Sequence, residues 1–137
     1  MNRRDISGLL IDLLAVLIFA AFGRASHEES VLGAPLTALP FWIGLGVGWW
    51  LVRSRSGRSP IEVGPGVTVW VTTLVLGMLL RVITGQGTAL AFVVVATLVL
   101  GVLLVGWRLA QERTGFLPAA EPTHAPEPTP AATADDD

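Results

Sequence analysis

The chain has 137 residues, of which 52% are hydrophobic and 15% charged, with a formal net charge of -2 and no cysteine. That composition is too apolar for a water-soluble domain of this size, and the missing thiols exclude disulfides, thiolate metal centres and cysteine nucleophiles. The small net charge comes largely from C-terminal acids, and nothing in it points to a nucleic-acid partner.

Four apolar stretches carry the chain, at residues 6–22, 36–52, 67–83 and 89–107. Each matches the hydrocarbon thickness of a bilayer, which about 17–25 helical residues cross, and lipid admits such segments only as helices because it cannot satisfy free backbone groups. The predicted fold is therefore an all-α membrane protein, with four transmembrane helices in a compact bundle over residues 1–113. The first stretch follows the Arg3-Arg4 pair, as the core of a signal peptide would. However, Asp12 interrupts it and three more spans follow, so an uncleaved helix is expected.

Asp12 lies about two turns into the first span, where a carboxylate costs on the order of 2.5–3.5 kcal/mol at a helix centre. It is expected to face the bundle interior, beside Thr72 and Thr73 of span three, with room left by Gly46, Gly48 and Gly101. Two readings stay open for it: a proton or cation site, or a hydrogen-bonded packing residue. Gly8, Asp12 and Val16 form one stripe of this helix.

Span two contains Gly44 and Gly48, a G-x-x-x-G pair that lets another helix approach closely. Span three sets Thr73, Gly77 and Arg81 on one face, and span four does the same with Ala89, Val93, Thr97 and Gly101. Beyond Gly115 the composition turns to Pro, Ala, Thr and acids, so residues 114–137 read as a disordered tail in which His124 is a solvated side chain.

Orientation follows from the nine basic residues, all of them arginine. Arg3, Arg4, Arg53, Arg55, Arg58, Arg108 and Arg113 share one side, whereas Arg24 and Arg81 lie on the other. The positive-inside rule predicts a multi-pass protein of the cell membrane with both termini in the cytoplasm. Trp49, Trp50, Trp70 and Trp107 fall near the cytoplasmic ends of their spans, where indoles anchor helices at the headgroup level.

On the outer side, Arg24, Ser26 and His27 follow span one, while Arg81 and Gln86 flank the connection between spans three and four. Arginine offers a planar fork for phosphate or carboxylate, and histidine titrates near neutrality. Such a group suits an anionic lipid headgroup, provided that spans one and three are neighbours. The competing reading is that the arginines snorkel to the interface or pair with Glu28 and Glu29. Gly85-Gln86-Gly87 is a tight turn rather than a phosphate loop. An offset of 57 residues sets Arg24 on Arg81, Ala34 on Ala91, Gly44 on Gly101 and Trp50 on Trp107, the pattern of two parallel helical hairpin repeats.

Certain residues together resemble a known group: Asp12, Gly23-Arg24-Ala25-Ser26-His27, Pro40-Phe41, Gly44 and Gly48-Trp49, followed by Trp70 with Thr73, Gly77-Met78-Leu79-Leu80-Arg81, Gly85-Gln86-Gly87-Thr88-Ala89, Phe92-Val93-Val94-Val95-Ala96 and Gly106-Trp107-Arg108. The chain is similar, over about residues 5–110, to an uncharacterised domain-of-unknown-function group of small four-span membrane proteins from actinobacteria and haloarchaea. That resemblance implies no activity. From the residues, a binding or accessory membrane protein engaging an anionic lipid ranks first, and its expected partners are membrane lipids, a second copy or another membrane protein. A small proton- or ion-coupled transporter using Asp12 is the alternative. An intramembrane enzyme built on Ser26, His27 and the arginines ranks third, because no nucleophile motif, metal cluster or cofactor signature accompanies them.

Overall fold

The computed structural model describes residues 1–118, which form four helices: α1 (Arg3–Ser26), α2 (Ala34–Ser56), α3 (Val63–Ile83) and α4 (Leu90–Thr114). All four are long and apolar enough to cross a membrane. Asn2 caps α1 by accepting from the Asp5 amide at 2.8 Å, a proline stands in the first turn of α2, and α2 and α4 end on Gly57 and Gly115. Of the segment 114–137, expected to be disordered, Thr114 still belongs to α4. Leu117 turns back, its amide donating to Gln111 Oε1 at 2.7 Å, and Phe116 meets Trp107 edge-on. Residues 119–137, His124 among them, lie outside those described.

Short connections make sequence neighbours antiparallel spatial neighbours, and α4 closes the ring against α1. Among the described residues α1 and α3 therefore stand on a diagonal and do not pack together, which corrects the expectation that spans one and three are neighbours. We call the end that holds the N-terminus, the α2–α3 connection and the end of α4 basal. The α1–α2 and α3–α4 connections make the apical end.

The α2–α3 seam is the most extensive, and small residues explain it. A Cβ on Gly44 would stand 2.9 Å from the Thr73 carbonyl oxygen, and one on Gly48 would stand 3.1 Å from Val69 Cα. The paired glycines thus let the two backbones touch. At Gly77 the Phe41 ring occupies the space that a side chain would need. Phe41 also meets Phe19 edge-on at 5.3 Å between centroids, which joins α1, α2 and α3 in one aromatic core with Val16, Leu45, Leu100 and Leu104 buried below it.

On α4 the buried stripe is Ala96, Leu100, Leu104 and Arg108, one position away from the expected face of Ala89, Val93, Thr97 and Gly101. Every helix keeps an apolar outer face, for example Leu10 and Leu14 on α1 and Leu98 and Val102 on α4. The polar side chains Asp12, Thr73 and Arg108 are inside. This polarity, apolar outside and polar at selected interior points, is compatible with a bundle that spans a membrane.

Candidate functional site

Two polar centres stand out, one sealed in the basal half and one open at the apical end. The basal centre is Asp12, fully buried in α1. Its Oδ1 accepts from Arg108 Nη1 at 2.8 Å and Trp107 Nε1 at 2.7 Å. Its Oδ2 accepts from Arg108 Nη2 at 2.6 Å and Trp49 Nε1 at 2.8 Å. Arg108 is also fully buried; its Nε donates to the Pro60 carbonyl at 2.8 Å, and Nη1 also donates to the Leu104 carbonyl. Gly66 in the first turn of α3 has no side chain because the Arg108 chain passes over it.

This arrangement was only half legible in the sequence. Asp12 does face the interior, but its partners are not Thr72 and Thr73; Thr73 Oγ1 donates instead to Val69 of its own helix at 2.7 Å. Gly46 is exposed, Gly48 packs against α3 and Gly101 lies under the Trp70 ring, while the indoles of Trp49 and Trp107 stand beside Asp12. Arg108 was counted as an interfacial topology signal, and Trp49 and Trp107 as headgroup anchors. All three turn inward because the carboxylate must be neutralised and its lone pairs filled in low dielectric. Trp50, by contrast, is 66% exposed.

The α2–α3 connection reinforces the same end. Pro60 and Ile61 are buried beneath the bundle, with Ile61 against Gly8. Asp5 accepts from Arg53 at 2.7 Å and from Ser59 Oγ at 3.1 Å, and Arg58 pairs with Glu62.

At the apical end a cavity of about 530 Å³ lies between the two connections. Arg24, His27, Glu29, Thr37, Arg81 and Gln86 line its rim, and Phe19 and Phe92 are the aromatic part of its wall. Four of the five residues picked as an anion group thus share one cavity; Ser26 does not line it and donates instead to the Phe22 carbonyl at 2.7 Å. The two arginines reach it from diagonal helices, across the bundle axis rather than side by side.

Their environments differ. Arg24 donates to the Ser30 carbonyl at 2.6 Å and to Thr37 Oγ1 at 3.2 Å, and it forms an ion pair with the Glu29 carboxylate at 3.2 Å. Gly33 packs directly against its guanidinium, where a Cβ would come within 2.5 Å. The pairing of Arg24 with Glu29 is the competing sequence reading, and it applies to that arginine alone.

Arg81 donates to Gln86 twice, to Oε1 at 3.0 Å and to the carbonyl at 3.2 Å, and its Cζ sits 4.3 Å from the centre of the Phe92 ring. No carboxylate pairs with it among the described residues, and its Nε is buried without an acceptor. The turn that supplies Gln86 depends on φ of +72° at Gly85 and +75° at Gly87, a region that L side chains avoid. Among the described residues no three His, Asp or Glu side chains gather as a metal ion would need.

The hairpin repeat is reflected only in part. A pseudo-twofold axis along the bundle would exchange α1 with α3, and Arg24 and Arg81 do face one cavity. Their proposed companions diverge, however: Trp107 holds Asp12 while Trp50 is exposed, and Gly44 meets backbone while Gly101 meets an indole.

The fold and these two centres define a four-helix bundle with apolar outer faces, an interior ion pair and a polar-rimmed cavity at one end. The chain belongs to the family described as Protein of unknown function (DUF3054), whose model matches residues 9–111 and so takes in Asp12, Arg24, Arg81 and Arg108. No curated protein and no solved structure matches it.

Proposed function

We propose that this chain is a small multi-pass membrane protein that holds an anionic lipid headgroup in the apical cavity, with that end facing outward and both termini in the cytoplasm. The observation that carries the reading is the convergence of Arg24, His27, Arg81 and Gln86, from the α1–α2 and α3–α4 hairpins, on one cavity walled by Phe19 and Phe92. Planar guanidinium groups beside an aromatic wall suit a phosphate or carboxylate whose neighbouring carbons are apolar.

The orientation rests on the arginines. Removing the buried Arg108 from the tally still leaves Arg3, Arg4, Arg53, Arg55, Arg58 and Arg113 at the basal end, and acidic partners such as Asp5 and Glu62 weigh little in that rule.

Ion-coupled transport through Asp12 is less well supported. A carboxylate that accepts four hydrogen bonds, two of them from a permanently charged guanidinium, has no lone pair free for a carried proton or cation. Neither the apical cavity nor the smaller one lined by Asp5, Arg53 and Ser59 includes Asp12 in its lining.

The test is native mass spectrometry of protein extracted from membranes, comparing the parent with Arg81→Gln. The reading requires copurified anionic lipid that the variant loses; equal lipid on both proteins would overturn it. Reporter fusions after Arg58 and near Glu29 check orientation, with cytoplasmic signal expected at the first and external signal at the second.

A further inference from the structure

We infer that the apical cavity selects a phosphodiester headgroup carrying one negative charge, in preference to dianionic and to uncharged headgroups, and that Glu29 sets this preference. The inference rests on the reading of the cavity as a lipid site and adds its charge selectivity.

Two arginines and one glutamate line the cavity. Arg24 stands 3.2 Å from the Glu29 carboxylate, so their charges cancel locally, and among the described residues no other carboxylate lines the cavity. Arg81 pairs with no carboxylate among the described residues and is steadied by neutral acceptors of Gln86. Among the described residues, the arginines and the carboxylate of the lining therefore leave one uncompensated positive charge, that of Arg81. A phosphodiester matches that charge. A phosphomonoester, with about -1.5 to -2 at neutral pH, brings excess negative charge close to Glu29.

The hydrogen-bond inventory agrees. A guanidinium has five N–H donors; Arg81 commits two to Gln86 and buries Nε, which leaves one hydrogen on each Nη for the two free oxygens of a phosphodiester. Because the Arg81 guanidinium lies over Phe92, an anion gripped there is adjacent to apolar wall.

Continuity of the wall favours a lipid over free phosphate. Leu36 belongs to the cavity lining and is also 73% exposed, so the wall runs out onto the apolar outer face of the bundle. A lipid whose phosphate sits on Arg81 can lay its glycerol and upper acyl carbons along Phe19, Leu36 and Phe92, whereas inorganic phosphate would leave that surface uncovered.

The experiment places the full-length protein in nanodiscs that contain phosphatidylcholine with phosphatidylglycerol, or phosphatidylcholine with phosphatidic acid, and reads retained lipid by native mass spectrometry after gentle extraction. The parent should retain phosphatidylglycerol over phosphatidic acid, and both over phosphatidylcholine; added inorganic phosphate should not displace the lipid. Glu29→Gln frees the charge of Arg24 and should shift the ratio toward phosphatidic acid by about two- to fivefold, the size expected of one extra partly exposed charge. Glu29→Asp keeps the charge and should keep the parent ratio, which separates electrostatics from damage to the α1–α2 turn.

An unchanged ratio in Glu29→Gln, or a parent that prefers phosphatidic acid, would overturn the charge selection while leaving the lipid site intact. Displacement by inorganic phosphate would overturn the choice of lipid. Equal retention of all three lipids by the parent would remove the underlying site as well.

Discussion

The basal and apical centres use the same chemistry to opposite ends. At the basal end Arg108 and Asp12 satisfy each other, two indoles and a loop carbonyl fill the remaining valences, and both side chains are out of reach of solvent. At the apical end Arg81 has a neutral partner, an unmet Nε and an adjoining cavity. A saturated charge holds elements together, whereas an unsaturated charge beside open space is available to a ligand. On the proposed reading, Asp12 belongs to the architecture and Arg81 to recognition.

The sharpest way to break this comparison is at Asp12. Asp12→Leu leaves Arg108 charged, buried and unpaired, and should destabilise the protein by about 3–5 kcal/mol, read as a large drop in the unfolding midpoint in detergent. Asp12→Leu combined with Arg108→Met removes both charges and should recover most of the loss, because an apolar pair of similar volume avoids the desolvation cost. Failure of the double variant to recover, together with a stable Asp12→Asn that has lost an ion-dependent activity, would return Asp12 to the role of a carrier.

The next effect concerns the glycines that let the framework close. Gly66→Ala must push Arg108 off its path, and Gly77→Ala must displace Phe41 from its slot. Each should cost roughly 1–3 kcal/mol, as overpacking does. Gly46→Ala, with nothing within 4 Å of the new carbon, serves as the control and should leave the midpoint unchanged or slightly raised.

Smaller changes separate the two apical arginines. Arg24→Gln loses the pairing with Glu29 and should cost about 0.2–1 kcal/mol, since that pair is partly exposed. Arg81→Lys should leave the free energy of unfolding within about 0.5 kcal/mol of the parent, as substitutions at a half-exposed position away from the core do. It should nevertheless reduce lipid retention, because lysine lacks the planar fork. Should Arg81→Lys unfold the bundle while Arg24→Gln abolishes lipid binding at full stability, the roles assigned to the two arginines would be reversed.

Particular residues show how far sequence reasoning reached. The Gly44 and Gly48 spacing announces a close helix contact, but not that α3 is the helix that enters it. That Arg24, His27, Arg81 and Gln86 border one cavity, while Ser26 turns back to its own helix, follows the sequence in part, because polar side chains at helix ends on the same end of a bundle share a layer only a few residues deep. The internal wiring of this group was not legible, since Arg24 and Arg81 look alike until the positions of Glu29 and Gln86 are known.

Arg108 is the residue that hydropathy misread. A charge ends an apolar window, so span four was closed at Trp107, although the helix continues to Thr114 and carries the guanidinium inward. A cue was available: an intramembrane carboxylate needs a counter-charge at its own depth, and Arg108 is near enough to that depth once α4 is allowed its full length.

Four apolar helices and the interior placement of Asp12 follow from the amino-acid sequence alone, because the transfer of residues into hydrocarbon is a nearly local sum along the chain. The partner of Asp12, the diagonal placement of α1 and α3, and the difference between an Arg24 paired with Glu29 and an Arg81 held by neutral Gln86 were decided only by the tertiary structure. The physical reason is that the Asp12–Arg108 pair joins positions 96 residues apart, and its energy depends on which helix faces meet and on what else fills the carboxylate's lone pairs. Neither quantity is a property of any window of sequence.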